Sequence, residues 1–475
     1  MNKSKYLMKN MGILTISNFS SKILVFLLVP LYTSVLSTAE YGSYDLAVSI
    51  ATLLYPILTL NIVDAVMRFS MDQMCDRKCI ASIGMKFLSL SIVIFGIGMY
   101  ILNITGIWPD INGLEIFVFF YYISYVFNQF LIQFSKGLEK VMDMGVAGVL
   151  STVVTVASNV LFLLVFKWGL TGFFFANILP QLMSCLYLSI RIRIWKYINL
   201  KYSNKQLQKE MLVYSVPLIA TTVGWWVNST ADKYVVVFML GIASNGLLSV
   251  SYKIPQIINT LQGIFTQAWQ ISAIKEYGEH DTAAFYGNTF ISVNLLMCAA
   301  CSWLTLLTKP LANILYAKDF YQAWQYVPFL LIASVLNCAS GLLGPILSAQ
   351  KNSKAMMWSA LIGAGANIIM NIIFVYFIGI QGATIATVLC SYIIYVVRKV
   401  AVGNEIKIDG YGIVLLTWGL LLIQATVEIY LSNYILEAII MAVLLAINIK
   451  AMKRLLTIGK NMIVSLKNKR GGKTQ

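Results

Sequence analysis

Residues 87–105 read Phe-Leu-Ser-Leu-Ser-Ile-Val-Ile-Phe-Gly-Ile-Gly-Met-Tyr-Ile-Leu-Asn-Ile-Thr, a run without any charged side chain. As a helix, a run of this length crosses a hydrocarbon core of about 30 Å. Lipid offers no partner for backbone N–H and C=O groups, so a spanning segment satisfies them internally as a helix. The strict alternation of a membrane β-barrel strand is missing from the run. The stretch therefore predicts a transmembrane helix.

Runs of this kind recur along the chain and decide its class. Of 475 residues, 59% are hydrophobic and only 11% are charged, and the mean hydropathy is +0.77. Soluble domains carry about 25% charged residues. We therefore predict an all-α polytopic membrane protein with about fourteen transmembrane helices. The predicted spans are 11–36, 42–66, 80–106, 114–136, 142–166, 169–190, 212–240, 245–270, 286–307, 324–348, 354–378, 380–401, 410–430 and 433–450.

Lysine and arginine give the predicted orientation. On this span assignment, 28 of the 35 basic residues fall on one side of the membrane. The opposite side has only Lys167, Lys309 and Lys318. Basic residues accumulate in cytoplasmic loops, so both termini are predicted to be cytoplasmic. The net charge of +16 then follows from topology, and no nucleic-acid partner is predicted. The first apolar run is too long for a cleavable signal peptide.

Two stretches of the chain repeat at nearly the same spacing. Residues 36–50 resemble 240–254 at an offset of 204, and 169–176 resemble 379–386 at an offset of 210. The offset covers six helices, so the two copies share one orientation, as in transporters with parallel repeats. We predict a first six-helix bundle over 1–205, a second over 206–404, and two added helices with a basic tail over 405–475. Gly42 and Gly246 are predicted at matching turns; convergent packing of small residues is the alternative explanation.

Charged and polar side chains inside the predicted spans mark the candidate site. Such groups are costly in lipid and usually face a cavity or a partner. We expect a hydrated cavity between the bundles, with cationic groups for a phosphate or pyrophosphate and with amide and indole groups for sugars. The candidate substrate-binding residues are Lys22, Lys253, Lys233, Asp232, Trp225, Trp226, Asn228, Asn259 and Gln262. The alternative for Lys22 and for Asp232 with Lys233 is a structural ion pair between helices.

Residue patterns for covalent chemistry are missing from the sequence. His280 is the only histidine, so neither a Ser–His–Asp triad nor a zinc site has support. A glycine-rich phosphate loop of the Walker type is absent as well. Five of the seven cysteines fall in predicted spans, where they act as small apolar residues. We therefore predict a transporter rather than an enzyme, with no cofactor and no metal.

The first predicted helix and the residues that follow it resemble a known family. Asn18-Phe-Ser-Ser-Lys22-Ile-Leu-Val-Phe-Leu-Leu-Val-Pro30, followed by Glu40-Tyr-Gly42, resembles the start of bacterial polysaccharide-repeat flippases of the Wzx type. Tyr252-Lys253-Ile-Pro255 is similar to a turn in the second helices of their superfamily. The resemblance implies alternating-access export of an undecaprenyl-pyrophosphate-linked oligosaccharide across the bacterial cytoplasmic membrane, for O-antigen or capsule synthesis. It also implies polysaccharide polymerase and chain-length proteins as neighbours.

Three other functions remain as alternatives. Multidrug extruders of the same superfamily typically carry a carboxylate in the first helix, whereas this chain has Lys22 there, which would repel a cationic drug. Lipid II flippases fit the span count, but the first helix lacks their arginine-rich pattern. A non-transporting envelope scaffold would need a large docking domain, and segments 191–211 and 451–475 are short and basic, as expected for contacts with lipid head groups. The residues do not choose between membrane potential, an ion gradient and downstream glycan consumption as the energy source.

Overall fold

The computed structural model describes residues 24–449, apart from 25, 73–74, 107, 110–112, 200–203 and 279–280. This part of the chain contains seventeen α-helices and no strand. The helices are α1 Val29–Val35, α2 Thr38–Leu58, α3 Ile62–Ser70, α4 Arg77–Thr105, α5 Glu115–Gly137, α6 Val141–Asn159, α7 Gly169–Ile192, α8 Lys205–Leu240, α9 Ile242–Ser251, α10 Gln256–Lys275, α11 Thr282–Leu306, α12 Thr308–Leu315, α13 Val327–Ala349, α14 Ser353–Ile378, α15 Ile380–Val402, α16 Tyr411–Tyr430 and α17 Tyr434–Ile447.

The all-α polytopic class predicted from the sequence is confirmed. Within the described residues, ten helices are long and apolar enough to cross a membrane, or eleven if the bent pair α2 and α3 forms one span. They correspond to the second to seventh and the ninth to thirteenth predicted spans. The first predicted span lies mostly outside the described residues, the eighth is divided into α9 and α10, and the fourteenth is the 14-residue α17. A total of fourteen spans therefore stays a prediction.

The second predicted span is bent because its backbone is interrupted. Ser37 and Glu40 form a capping box that starts α2, with each side chain bonded to the backbone of the other residue. Pro56 lies in the last turn of α2. Leu60 and Asn61 then adopt left-handed backbone conformations, with φ of 51° and 50°. As a result α2 and α3 meet at 61°.

Contacts divide the chain into two units. The first unit is Met1–Val250 with Ile314–Tyr321, and the second is Ser251–Asn313 with Gln322–Gln475. In the first unit, α5 packs against α3 and α7, and α8 packs against α2 and α3. In the second unit, α13 is central and almost entirely buried, with α10, α11, α15 and α16 around it. The predicted bundle boundaries at 205 and 404 follow the sequence repeat and not these contact units, and they stay a prediction.

A short segment from the second half of the sequence returns to the first unit. The Thr33 hydroxyl lies 3.0 Å from the carbonyl oxygen of Leu315 and accepts from the amide of Ala317 at 3.2 Å. The Tyr316 hydroxyl donates to the Val250 carbonyl at 3.2 Å. Phe320 packs edge-on against the ring of Tyr41, with ring centres 6.0 Å apart. Residues 314–321 are thereby anchored to α1, α2 and α9.

Candidate functional site in the broken helices

The two glycines of the repeat lie at one close helix crossing in the first unit. A methyl group on Gly42 would lie 2.2 Å from the carbonyl oxygen of Ile242, and one on Gly246 would lie 1.9 Å from that of Thr38. Thr38 and Ile242 are themselves related by the offset of 204, so the contact between α2 and α9 is reciprocal. The prediction that these glycines lie in turns is wrong, since both lie within helices, where the absent side chain permits close approach.

An ionic cluster lies next to this crossing. Lys233 Nζ on α8 donates to both carboxylate oxygens of Asp45 on α2, at 3.0 and 2.9 Å. The Ser249 hydroxyl on α9 donates to Asp45 Oδ2 at 2.8 Å, and Asn245 donates to the carbonyl of Gly42 at 3.1 Å. The two charged side chains are 17% and 18% exposed. Asp45 and Ser249 are also related by the offset of 204. The hydrogen bond between them therefore joins equivalent positions of α2 and α9, next to the glycine crossing.

The other candidates on α8 are distributed around the helix. Asp232 is buried and accepts from the backbone N–H of Lys233 at 3.0 Å, so the partner of the lysine ammonium is Asp45. The indole of Trp226 donates to Thr52 on α2 at 3.4 Å, and its ring contacts Tyr234. Trp225 is 53% exposed and Asn228 is half-buried. Lys233 and Trp226 therefore face α2, whereas Trp225 is exposed.

The remaining described candidates belong to the interrupted eighth span. Residues 252–255 form a turn between α9 and α10, and half-buried Lys253 lies in this turn. Half-buried Asn259 lies on the first turn of α10. The side-chain amide of Gln262 donates to the carbonyl of Asn337 on α13 at 3.3 Å. Lys22 lies outside the described residues.

The interruption of the second span also has a polar lining. Asn61 donates to Asp64 Oδ2 at 2.9 Å, and Gln133 on α5 lies 3.4 Å from Asp64 Oδ1. Asn61 is buried, as is Thr59, whose hydroxyl donates to the carbonyl of Tyr55 at 2.6 Å. Both interrupted spans thus bring polar groups to the point where regular helix stops.

Sequence reasoning missed three buried charged residues in the second unit. Arg398, near the end of the predicted span 380–401, is 4% exposed and donates to Ser359 and to the carbonyl of Ser340. Glu428 and Glu437 are fully buried on α16 and α17. All three lie near predicted span ends, where the sequence pattern favours an interfacial location. The sequence did offer one signal for Glu428 and Glu437. They lie on either side of the two-residue turn predicted between the spans 410–430 and 433–450.

The polysaccharide biosynthesis protein family matches residues 7–270, more than half of the chain. No curated protein sequence matches. The structure is similar to that of the lipid II flippase MurJ in an inward closed conformation, with a TM-score of 0.73 at 16% identity over 94% of this chain and 99% of that one.

Other transporters with the same fold are similar over a smaller share of the chain. An inward-facing multidrug resistance MATE family transporter of the MOP superfamily gives a TM-score of 0.59 at 12% identity, covering 82% of this chain and 98% of that one. A MOP superfamily transporter from Pyrococcus furiosus, described by the reverse polarity of its binding pocket, gives 0.54 at 13% identity, covering 83% and 93%. At these identities the likeness shows the fold alone.

Proposed function

We propose, on the premise that this chain belongs to the polysaccharide biosynthesis protein family, that it is a flippase for a lipid-linked oligosaccharide. Its cargo would be an undecaprenyl-pyrophosphate-linked repeat unit, moved across the bacterial cytoplasmic membrane by alternating access. The product would feed a surface polysaccharide such as O-antigen or capsule, beside a polymerase and chain-length proteins. Both termini would lie in the cytoplasm, as the distribution of basic residues predicts.

The interruption of the second helix in each repeat carries this proposal. Discontinuous membrane helices at corresponding places in two repeats are the best pointer to a transporter binding site. Here the two corresponding helices are both interrupted, one at residues 59–61 and the other at 252–255, which the offset of 204 relates to 48–51. The second contains Lys253, whose ammonium group suits a phosphate oxygen of the cargo.

The cationic candidates do not carry equal weight. Lys233 is neutralised by Asp45 through two hydrogen bonds, so it serves the contact between α2 and α8. Lys253, at the break between α9 and α10, and Lys22 are the proposed pyrophosphate contacts, with Asn259 and Gln262 on α10 as proposed sugar contacts. Trp225, Trp226, Asn228 and Asp232 would contribute to the polar wall along α8.

The test is translocation by purified protein in liposomes. A fluorescent prenyl-pyrophosphate oligosaccharide is followed between leaflets, with a cationic dye under a proton gradient measured in parallel. We expect glycolipid movement by the wild type and a loss of about tenfold to hundredfold in K253A, because a charge-assisted hydrogen bond contributes about 1.5–3 kcal/mol. K22A is expected to show a similar loss.

Two matched variants test whether a positive charge is needed at position 253 in particular. K253R keeps a cation at the helix break and should retain most of the activity, whereas K354A removes an exposed lysine at the start of α14 and should retain all of it. Dye transport without glycolipid movement would assign the protein to the drug transporters instead. Full activity of K253A would remove Lys253 from the site.

A further inference from the structure

Two fully buried carboxyl groups face each other in the hairpin of α16 and α17. Glu428 lies in the last turn of α16 and Glu437 in the first turn of α17, and both side chains have no solvent exposure. Among the described residues, no N–H or O–H group of another residue donates to any of their four carboxyl oxygens. The two groups lie within hydrogen-bonding distance of each other. Ionised carboxylates only accept hydrogen bonds, so a bond between them requires a proton on one.

The charges around this pair can be counted from the helices that enclose it. The hairpin packs against α11, and α16 also contacts α13. Neither α11 nor α13 contains a charged residue, and Glu428 and Glu437 are the only ones on their own helices. Within the described part of the chain, the remaining charged group that faces the pair is Lys309 at the start of α12.

Lys309 compensates one negative charge without bonding to either carboxyl. Its ammonium donates to the Ser432 hydroxyl at the tip of the hairpin and lies 4.3 Å from the ring centre of Trp324. Two ionised carboxylates beside a single lysine would leave one uncompensated charge in a dry site, which is costly. Carboxyl pairs in such surroundings share a proton, since both cannot ionise.

We propose that Glu428 and Glu437 form a proton-binding site that holds one exchangeable proton between them. With that proton, the pair and Lys309 are neutral together. Neighbouring polar contacts hold the helices in register, because Gln424 and Ser302 exchange hydrogen bonds of 2.7 and 3.0 Å between α16 and α11. Only Leu431, Ser432 and Asn433 separate α16 from α17, so the route from the pair to water at the hairpin tip is short.

Infrared difference spectroscopy on purified full-length protein tests the site directly. A neutral carboxylic acid has a C=O stretching band that an ionised carboxylate lacks. We expect this band in the wild type at neutral pH, and its loss in E428Q and in E437Q. In each variant the glutamine amide donates to the remaining carboxylate in place of the proton, and Lys309 balances its charge. The nearly isosteric change preserves packing, and size-exclusion chromatography checks the fold.

The control is E139Q, which alters an exposed loop acid and should leave the band unchanged. Retention of the whole band in both single variants would overturn the proposal. Loss of the band on adding Na⁺ at constant pH would also overturn it, since the site would then take a metal cation.

The use of this proton in transport rests on the proposed function. Release of the proton to water at the hairpin tip would accompany a step of the transport cycle, so glycolipid movement in liposomes should respond to an imposed pH gradient. E428Q should lose this response. Movement that ignores the gradient in the wild type would overturn the coupling and leave the flippase proposal intact. Absence of any glycolipid movement would overturn the flippase proposal, while the infrared result would still decide the proton site.

Discussion

Ionisable side chains within the described helices are stabilised in different ways, residue by residue. Asp45 and Lys233 neutralise each other, and Ser249 adds a third hydrogen bond to the carboxylate. Arg398 instead bonds to a hydroxyl and a carbonyl oxygen. The energetic consequence of removing one partner depends on how far the other is shielded from water.

The Asp45–Lys233 pair offers a direct measurement of this shielding. D45N leaves the Lys233 ammonium without its countercharge and should lower the free energy of unfolding by about 3 kcal/mol, at the low end for a buried pair because both groups keep some exposure. K233M should have a similar effect, and the double variant D45N/K233M should recover part of the loss. Denaturant unfolding in detergent, followed by tryptophan fluorescence, gives the three values.

The Asp143–Arg191 pair is the matched control. Its N···O distance is also 2.9 Å, but the Arg191 side chain is 58% exposed. D143N should therefore change stability by less than about 1 kcal/mol. Equal effects of D45N and D143N would mean that the Asp45 site is as well hydrated as the surface.

At the scale of elements, close approach of backbones fixes the contact between α2 and α9. G246A places a methyl group against the Thr38 carbonyl and should destabilise the protein by about 1–3 kcal/mol, as overpacking does. G42A should act in the same way against Ile242. Thermal unfolding of the detergent-solubilised variants is the measurement.

Gly224 on α8 supplies the control for this crossing. A methyl group there would meet nothing within 4 Å, so G224A should be neutral or slightly stabilising through helix propensity. A wild-type unfolding temperature for G246A would show that α2 and α9 can move apart at no cost.

The returning segment 314–321 depends on one hydroxyl for two backbone contacts. T33V keeps the side-chain shape but leaves the Ala317 amide without its acceptor, which should cost about 1–3 kcal/mol. Hydrogen–deuterium exchange should therefore accelerate in 314–321. T105V, at an exposed hydroxyl that donates to the carbonyl of Ile101 in its own helix, should leave that exchange unchanged. Unaltered exchange in T33V would show that Tyr316 and Phe320 suffice to hold the segment.

At the scale of the whole molecule, residues that the predicted repeat relates by 204 positions lie in contact with one another. Thr38, Gly42 and Asp45 meet Ile242, Gly246 and Ser249, which are their equivalents at the same offset. A single crossing thus relates the second helix of each copy. Both of these second spans are also interrupted, at 59–61 and at 252–255.

The amino-acid sequence by itself determined the class and most span positions, and it predicts the repeat. Lipid forces each spanning backbone to bond internally, so a long apolar run specifies a helix without reference to the rest of the chain. The break at 59–61 escaped prediction because Leu60 and Asn61 sit within a run whose composition still favours a span, whereas the turn at 252–255 was indicated only by the family resemblance.

The partners of the charged groups were decided only by the tertiary structure. Asp45 and Lys233 are 188 residues apart, and the pattern around either one is equally compatible with a cavity or an ion pair. Glu428 and Glu437 look interfacial in the sequence and become fully buried only when the hairpin packs against α11. Burial and countercharge are properties of the assembled helices, because the dielectric environment of a side chain is set by neighbours that are distant in the sequence.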